Sequence, residues 1–295
     1  MTRKLLAGGI LLLSLITTGC QGKEETLILA SKPMTEQIIL SEMLTLLIED
    51  RTDLQVEQKQ GMAGGTATIH PGLVEGSIDL APEYTGTGWL FVLKEALIRD
   101  RDQLYEAVLK GYEEEFQIRW TGRYGFNNTY RLAVTREAAE KYGLQTMSDL
   151  AAASPSLTFV SNGDFFERED GYKGLVKEYG LAFGKTEEVD IGLRYEAVRS
   201  GKADVIVVFT TDGQLEEAGL VILEDDKNYF PYYDAATLVR DEVLEKHPEL
   251  EEVLNLLEGR IQDEDMVHMN YLVEIRKEDP ARVARDFLKD KGLLP

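Results

Sequence analysis

The sequence predicts an α/β protein of two lobes, and three observations carry that expectation. At 295 residues the chain exceeds what one ordinary hydrophobic core serves. Short apolar strands alternate with helix-spaced segments along its length. One strand, Asp204 to Val208, is apolar on consecutive residues (Val205, Ile206, Val207, Val208), as in a parallel sheet covered on both faces. A hydrophobic content of 43% with 29% charged residues is that of a soluble globular chain rather than a disordered one. The net charge of -21 repels nucleic acid and anionic lipid, so neither is expected as a partner through its charge.

In chain order, the first segment reads as an address. Arg3 and Lys4 precede an apolar run from Leu5 to Ile16, interrupted only by Gly8, Gly9 and Ser14. Its 12 residues fall short of the ~20 needed to span a bilayer and fit a signal-peptide core. Thr17, Thr18 and Gly19 then lead to Cys20, a pattern that resembles a bacterial lipoprotein signal, with Thr17 where an aliphatic residue is usual. Residues 1–19 are therefore expected to be removed and Cys20 to carry lipid, with 20–25 as the lipidated Cys and tether. Removal takes Arg3 and Lys4 and no acid, moving the charge from -21 to -23. Cys20 is the only cysteine, which excludes an intrachain disulfide.

Thr26 to Ala30 is a strand, followed by a turn at Ser31-Lys32-Pro33-Met34. Thr35 is expected to cap a helix bearing Ile38, Ile39, Met43, Leu46 and Leu47. A strand at Val56 to Gln60 precedes a glycine-rich turn, Gly61 to Thr66, that lacks the Lys-Ser/Thr ending of a phosphate loop. Ile78 to Ala81 is a strand leading into Pro82-Glu83-Tyr84-Thr85-Gly86-Thr87-Gly88. Leu104, Val108, Tyr112 and Phe116 mark an amphipathic helix. Strands follow at Arg131 to Val134, Leu157 to Ser161 and Ala235 to Val239, and a helix from Tyr195 to Arg199 stops at Ser200-Gly201. From Asp241 the chain is helical, with Pro248 and Pro280 each able to open a helix. No internal repeat is evident.

The catalytic inventory is poor. His70, His247 and His268 have no zinc-type spacing, and His247 is expected in solvent. No G-x-S-x-G elbow occurs. Trp89 and Trp120 read as core residues. Binding rather than catalysis is the expectation, with no metal and no cofactor.

Six segments, in order, resemble the substrate-binding proteins of osmoprotectant ABC importers of the glycine betaine, carnitine and choline class. They are Ser31-Lys32-Pro33-Met34-Thr35-Glu36-Gln37; Gly64-Gly65-Thr66 with Gly76 to Thr87; Gly125-Phe126-Asn127-Asn128-Thr129-Tyr130; Arg168-Glu169-Asp170-Gly171 with Gly174-Leu175; Phe209-Thr210-Thr211-Asp212-Gly213; and Leu223 to Lys227 with Phe230-Pro231-Tyr232-Tyr233. The resemblance implies a type II periplasmic-binding-protein-like fold whose chain crosses twice between lobes. Lobe I would be 26–128 plus 231–295 and lobe II 129–230. It implies a monomeric receptor, held at the membrane by its N-terminal lipid, that hands a quaternary ammonium ligand to an ABC permease.

By the same resemblance Tyr84, Tyr130, Phe209 and Tyr233 are expected as cage walls for a trimethylammonium group. Such a group has no N–H to donate and is held by aromatic faces at ~0.5–2 kcal/mol each. The family usually has Tyr where Phe209 stands, and Tyr232 competes with Tyr233 for the wall. Asn128 would sit beside the cation. Lys32, Arg168 and Thr87 would hold a carboxylate, which favours glycine betaine. Choline, carnitine or an amino acid on the same fold, a lipid-anchored enzyme, and a sensory module are the alternatives.

Overall fold

In the computed structural model, which describes residues 26–168, 170–215 and 217–295, the alternating pattern becomes two five-stranded sheets. The signal segment, Cys20 and the tether lie outside the described residues. The strands are β1 (Thr26–Ala30), β2 (Gln55–Lys59), β3 (Leu80–Tyr84), β4 (Ile118–Trp120), β5 (Tyr130–Thr135), β6 (Thr158–Ser161), β7 (Lys185–Glu188), β8 (Val205–Phe209), β9 (Leu220–Ile222) and β10 (Ala235–Arg240).

The first sheet has the order β2-β1-β3-β10-β4 and the second β7-β6-β8-β5-β9. In the first, β1 runs parallel to β2 and β3, and β10 is antiparallel to β3 and β4. In the second, β6 runs parallel to β7 and β8, and β5 is antiparallel to β8 and β9. Each lobe thus repeats one plan: a parallel trio, then an antiparallel strand contributed by the chain as it arrives from the other lobe. Arrival and return lie side by side, where Asn127 pairs with Asp234 in an antiparallel bridge.

The helix Thr35–Arg51 is buried on nearly all sides, with Ile39, Leu40, Met43, Leu44 and Leu47 enclosed. It packs against three C-terminal helices, Glu249–Leu254, Asp263–Glu274 and Pro280–Asp290, as well as β3. That enclosure also buries its first-turn polar residues Glu36 and Gln37. Thr35 is the first helical residue, and Met34 occupies the cap without a side-chain bond. Pro280 opens its helix at the first turn, with Asp279 capping by accepting from the Arg282 N–H.

Several elements differ from expectation. The turn Gly61 to Gly65 opens a helix, Thr66–Glu75, that the sequence reading leaves out. β3 begins at Leu80 and runs through Pro82 into Tyr84, because its register on β10 continues from Leu80↔Val239 to Tyr84↔Ala235. His247 is not solvated: its side chain is 14% exposed, 3.7 Å from Glu249. Trp120 is core, as expected, and Trp89 packs against the same cluster. No helix among the described residues is long and apolar enough to cross a membrane.

Candidate functional site

β3 delivers Tyr84 to its C-terminal end, where the returning chain is zipped onto it. Thr85 N–H donates to the Asp234 carbonyl (3.0 Å), and Asp234 N–H donates to the Thr85 hydroxyl (3.1 Å). Gly86 is required here: a Cβ would lie 2.7 Å from the Tyr233 ring and from the Tyr232 carbonyl oxygen. Thr87 is buried in the same turn. Across the crossover, Tyr233 N–H donates to Asn127 Oδ1 at 2.7 Å, and Asn128 N–H donates to the Tyr233 carbonyl at 3.2 Å.

These bonds place an aromatic cluster where the lobes meet. The Tyr130 ring centre lies 5.1 Å from those of Phe165 and Phe209, 5.5 Å from Phe230 and 5.4 Å from Tyr233. Tyr130 and Tyr233 are perpendicular within a few degrees (87°), forming a corner. β5 and β8 set Tyr130 directly opposite Phe209 in register. Tyr84 belongs to the same continuous core. Tyr233 is 2% exposed and Tyr232 39%, so Tyr233 is the inward ring of that pair, and Tyr232 faces Arg101 at 5.6 Å.

The predicted cations are already occupied. Lys32 Nζ donates to Glu83, whose other oxygen accepts from Thr66 at 2.7 Å. The same ammonium lies 4.8 Å from the Tyr84 ring centre. Arg168 faces Asp170 through Nε (2.8 Å) and Nη2 (2.5 Å), and its guanidinium covers Phe91 at 5.5 Å. Tyr233 donates its hydroxyl to Asp170 at 2.5 Å, linking the pair to the corner.

Four polar residues of the cleft were missed by sequence reasoning. Glu36 is buried, and its Oε1 accepts from the Tyr84 hydroxyl (2.5 Å) and from Asn128 Nδ2 (2.7 Å). Burial raises the Glu36 pKa above the usual carboxylate value; hydrogen bonding from Tyr84, Thr211 and Asn128 opposes the rise. Burial, then the adjacent Glu36 charge, pushes the Tyr84 phenol well up, so it remains a donor. Arg194 places its guanidinium 4.9 Å from the Phe209 ring and donates to Asp212 at 3.1 Å, which occupies one face of that ring. Asn270, on the helix Asp263–Glu274, donates to the Thr211 carbonyl at 2.7 Å. Glu36 and Asp212 stand inside motifs already singled out, so the signal was present. Arg194 and Asn270 carried none.

A cavity of about 110 Å³ lies between the lobes here, lined by Glu36, Asn128 and Asn270 with Arg194, Phe209 and Asp212 among others. Of the expected site residues only Asn128 and Phe209 line this cavity; Lys32, Tyr84, Thr87, Tyr130, Arg168 and Tyr233 are buried but do not line it.

The sequence model of the family described as the substrate binding domain of ABC-type glycine betaine transport systems matches residues 25–290. The chain belongs to this family. Among its relatives is the ergothioneine transport permease/ergothioneine binding protein of Helicobacter pylori, 45% identical over 271 residues. That match covers 92% of this chain and 48% of the relative, so the chain spans about half the length of that protein. The carnitine transport binding protein of Listeria monocytogenes is 38% identical over 288 residues, covering 97% of this chain and 93% of the relative. A solved structure titled as a glycine betaine/carnitine/choline ABC transporter superposes with a TM-score of 0.75 at 36% identity, covering 90% of this chain and 99% of that one. As a substrate-binding domain of this family the chain has the type II periplasmic-binding architecture, in agreement with the expectation from its motifs. It is a binding component of a betaine-type ABC importer rather than an enzyme.

Proposed function

We propose that this chain is the extracytoplasmic receptor of its importer, anchored through lipid on Cys20, and that it captures a trimethylammonium carboxylate of the glycine betaine class as a monomer. The observation that carries the reading is the perpendicular corner of Tyr130 and Tyr233, walled by Phe209, which lines one cavity with the buried carboxylate of Glu36. A methylated cation has no proton to share, so faces with a negative quadrupole and one nearby anion suit it. Lys32, Arg168 and Arg194 each sit against a carboxylate of the chain, whereas the groups bonding Glu36, from Tyr84, Asn128 and Thr211, are neutral donors. The site therefore holds a surplus of negative charge that favours a cation.

In this reading Tyr84 closes the cage, and Asn128 and Tyr84 hold Glu36 in place. The ligand carboxylate meets Lys32 and Arg168, with Thr87 donating. Nε and Nη2 of Arg168 are taken by Asp170, so the ligand addresses Nη1. The lobes 26–128 plus 231–295 and 129–230 close over the ligand about the crossover at Asn127 and Asp234. The permease then receives the closed form.

Calorimetric titration of the purified chain with glycine betaine, carnitine and choline tests this. Each aromatic face contributes ~0.5–2 kcal/mol, so Tyr130→Ala and Tyr84→Ala are each expected to weaken binding by roughly 3- to 30-fold. Unchanged affinity in both variants ends the cage.

A second reading has a specific observation in its favour. The 45% identity to the Helicobacter pylori protein exceeds that to the carnitine-binding relative, and the former is named for ergothioneine, a bulkier betaine with a ring. Adding ergothioneine to the titration panel decides between them.

A further inference from the structure

Between the turn Thr85–Thr87 and the helix Arg101–Phe116 the chain makes an excursion that adds no strand to the first sheet. It opens with a single turn of π-helix, Gly88–Val92, closed by the Leu93 N–H donating to the Gly88 carbonyl at 3.0 Å. Such turns are rare and recur at functional sites. The base of the excursion is fixed on the first lobe. Gly88 lies so close to the core that a Cβ would be 2.7 Å from Trp120 and 2.9 Å from Val108. Lys94 is left-handed (φ 57°), the Glu95 N–H donates back to the Trp89 carbonyl at 3.2 Å, and the Trp89 indole donates to the Ala96 carbonyl at 2.6 Å. At the far end Arg101 Nε donates to Asp234, at the crossover, at 2.9 Å.

From this base two side chains reach the second lobe. Phe91, half-buried, has its ring centre 5.5 Å from the Arg168 guanidinium carbon. Arg99 Nη1 donates to the Asn228 carbonyl. The turn presenting that carbonyl is tightly held. Asn228 is left-handed (φ 51°), and Asp225 accepts from the N–H groups of Tyr229 (2.9 Å) and Phe230 (3.0 Å). The excursion is therefore tied at both ends to one lobe and touches the other between them.

A guanidinium group is flat, so fixing its orientation takes a partner on its edge and another on its face. Asp170 supplies the edge through Nε and Nη2, and it is Arg168's near neighbour in sequence. The face is covered from the other lobe, by Phe91. We propose that Phe91 is a positioning residue: as the lobes meet it covers one face of Arg168 and so aims Nη1 at the carboxylate of the ligand. This rests on the reading above in which Arg168 holds that carboxylate, and it gives the first lobe a part in orienting a cation carried by the second. Phe91 acts through Arg168 and does not touch the ligand. Without the ring the edge pair with Asp170 remains, but the guanidinium can tilt about it, and the ligand must order that group on binding.

The test is a double-mutant cycle read by calorimetry on the purified chain, with whichever of glycine betaine, carnitine and ergothioneine binds most tightly. Phe91→Leu keeps an apolar side chain and removes the aromatic face; Phe91→Tyr keeps the face. The other side of the cycle is Arg168→Gln with Asp170→Asn, which removes both charges of the pair so that neither is left buried alone. In the unmodified protein Phe91→Leu is expected to weaken binding roughly threefold or more, and Phe91→Tyr about twofold or less. In the charge-free background Phe91→Leu should have no further effect, because nothing remains for the ring to orient. Equal losses in both backgrounds, or no loss in the first, make Phe91 a packing residue and overturn the inference while the carboxylate reading stands. A charge-free background that binds as tightly as the unmodified protein ends the carboxylate reading, and this inference with it. If that background does not bind at all, leucine against tyrosine decides, and a loss in both or in neither overturns the positioning role.

Discussion

Glu36 concentrates the trade between binding and stability on one side chain. It occupies the first turn of the helix Thr35–Arg51, where the helix dipole favours a negative charge, but it is enclosed on all sides. Burial raises its pKa above the ordinary value of 4.5 despite the bonds from Tyr84 and Asn128. An acid with a raised folded pKa contributes its stability below the unfolded pKa and loses it as pH rises through the folded one. Towards neutral pH the ligand-free protein therefore loses the stability that the protonated carboxyl contributes. Glu36→Gln is expected to melt higher than the unmodified protein at pH 7, with the difference vanishing near pH 4. It should also weaken glycine betaine by at least tenfold, since the anion beside the cation is gone. Thermal melts at the two pH values, paired with titration, check both halves. A variant that melts lower at pH 7 shows that the charged form is the stable one.

At the scale of elements, the contact that matters most is between the turn after β8 and the helix Asp263–Glu274. Asn270 Nδ2 holds the Thr211 carbonyl, and Gly213 lies directly against the backbone of the helix. A Cβ on Gly213 would be 2.6 Å from the Asn270 carbonyl carbon and would overlap the Tyr271 nitrogen, neither of which can move aside. The turn belongs to the second lobe and the helix to the first, so this approach exists only when the lobes are together. Gly213→Ala is expected to leave each lobe folded, to hold the lobes apart and to lower ligand affinity by at least tenfold. Small-angle scattering should report a larger radius of gyration with unchanged circular dichroism, and an unaltered radius with full affinity would remove the turn from the closing contact. The same scale explains what the sequence did and did not yield. β1, β5, β8 and β10 were legible because a strand buried on both faces writes a continuous apolar run. The helix Thr66–Glu75 was not, because three glycines precede it and Pro71-Gly72 stand within it, and both read as breaks.

For the molecule as a whole, the repeated strand order implies a two-body machine joined by two adjacent strands. Asp234 at the return crossing is wholly buried and takes Arg101 through Nε at 2.9 Å, with Arg123 at 3.5 Å, so the joint itself is anchored to the first lobe. A ligand that binds only the folded, closed pair stabilises it by RT ln(1 + [L]/Kd), about 4.1 kcal/mol at 1,000 Kd. For a chain of this size that corresponds to a rise in Tm on the order of 8 °C. A melting series against ligand concentration checks it, and a Tm independent of concentration would mean that binding does not engage the folded pair. The duplicate plan of the two sheets left no trace of an internal repeat in the sequence. Topology depends on which backbone edges pair, and many unrelated apolar strands satisfy the same edge.

The sequence alone determined the class of fold, the family and the residue types of the site. Apolar periodicity and motif order survive in one dimension, and rings such as Tyr84 and Tyr130 stand inside specific motifs. It also carried the carboxylate of Glu36 and the glycine of Gly213 in plain view, without their meaning. Only the tertiary structure decided which groups face one another. It turned Tyr233 inward and Tyr232 outward, and it gave Lys32, Arg168 and Arg194 carboxylate partners, two of them separated from their cation by 18 and 51 positions in sequence. It also collected Glu36, Asn128 and Asn270, far apart in sequence, around one cavity. Partnership is a property of distance in space, and the cost of an unpaired charge or acceptor depends on burial. Neither is written in the order of residues, which is why the inventory of the site was legible in advance and its hydrogen-bond balance was not.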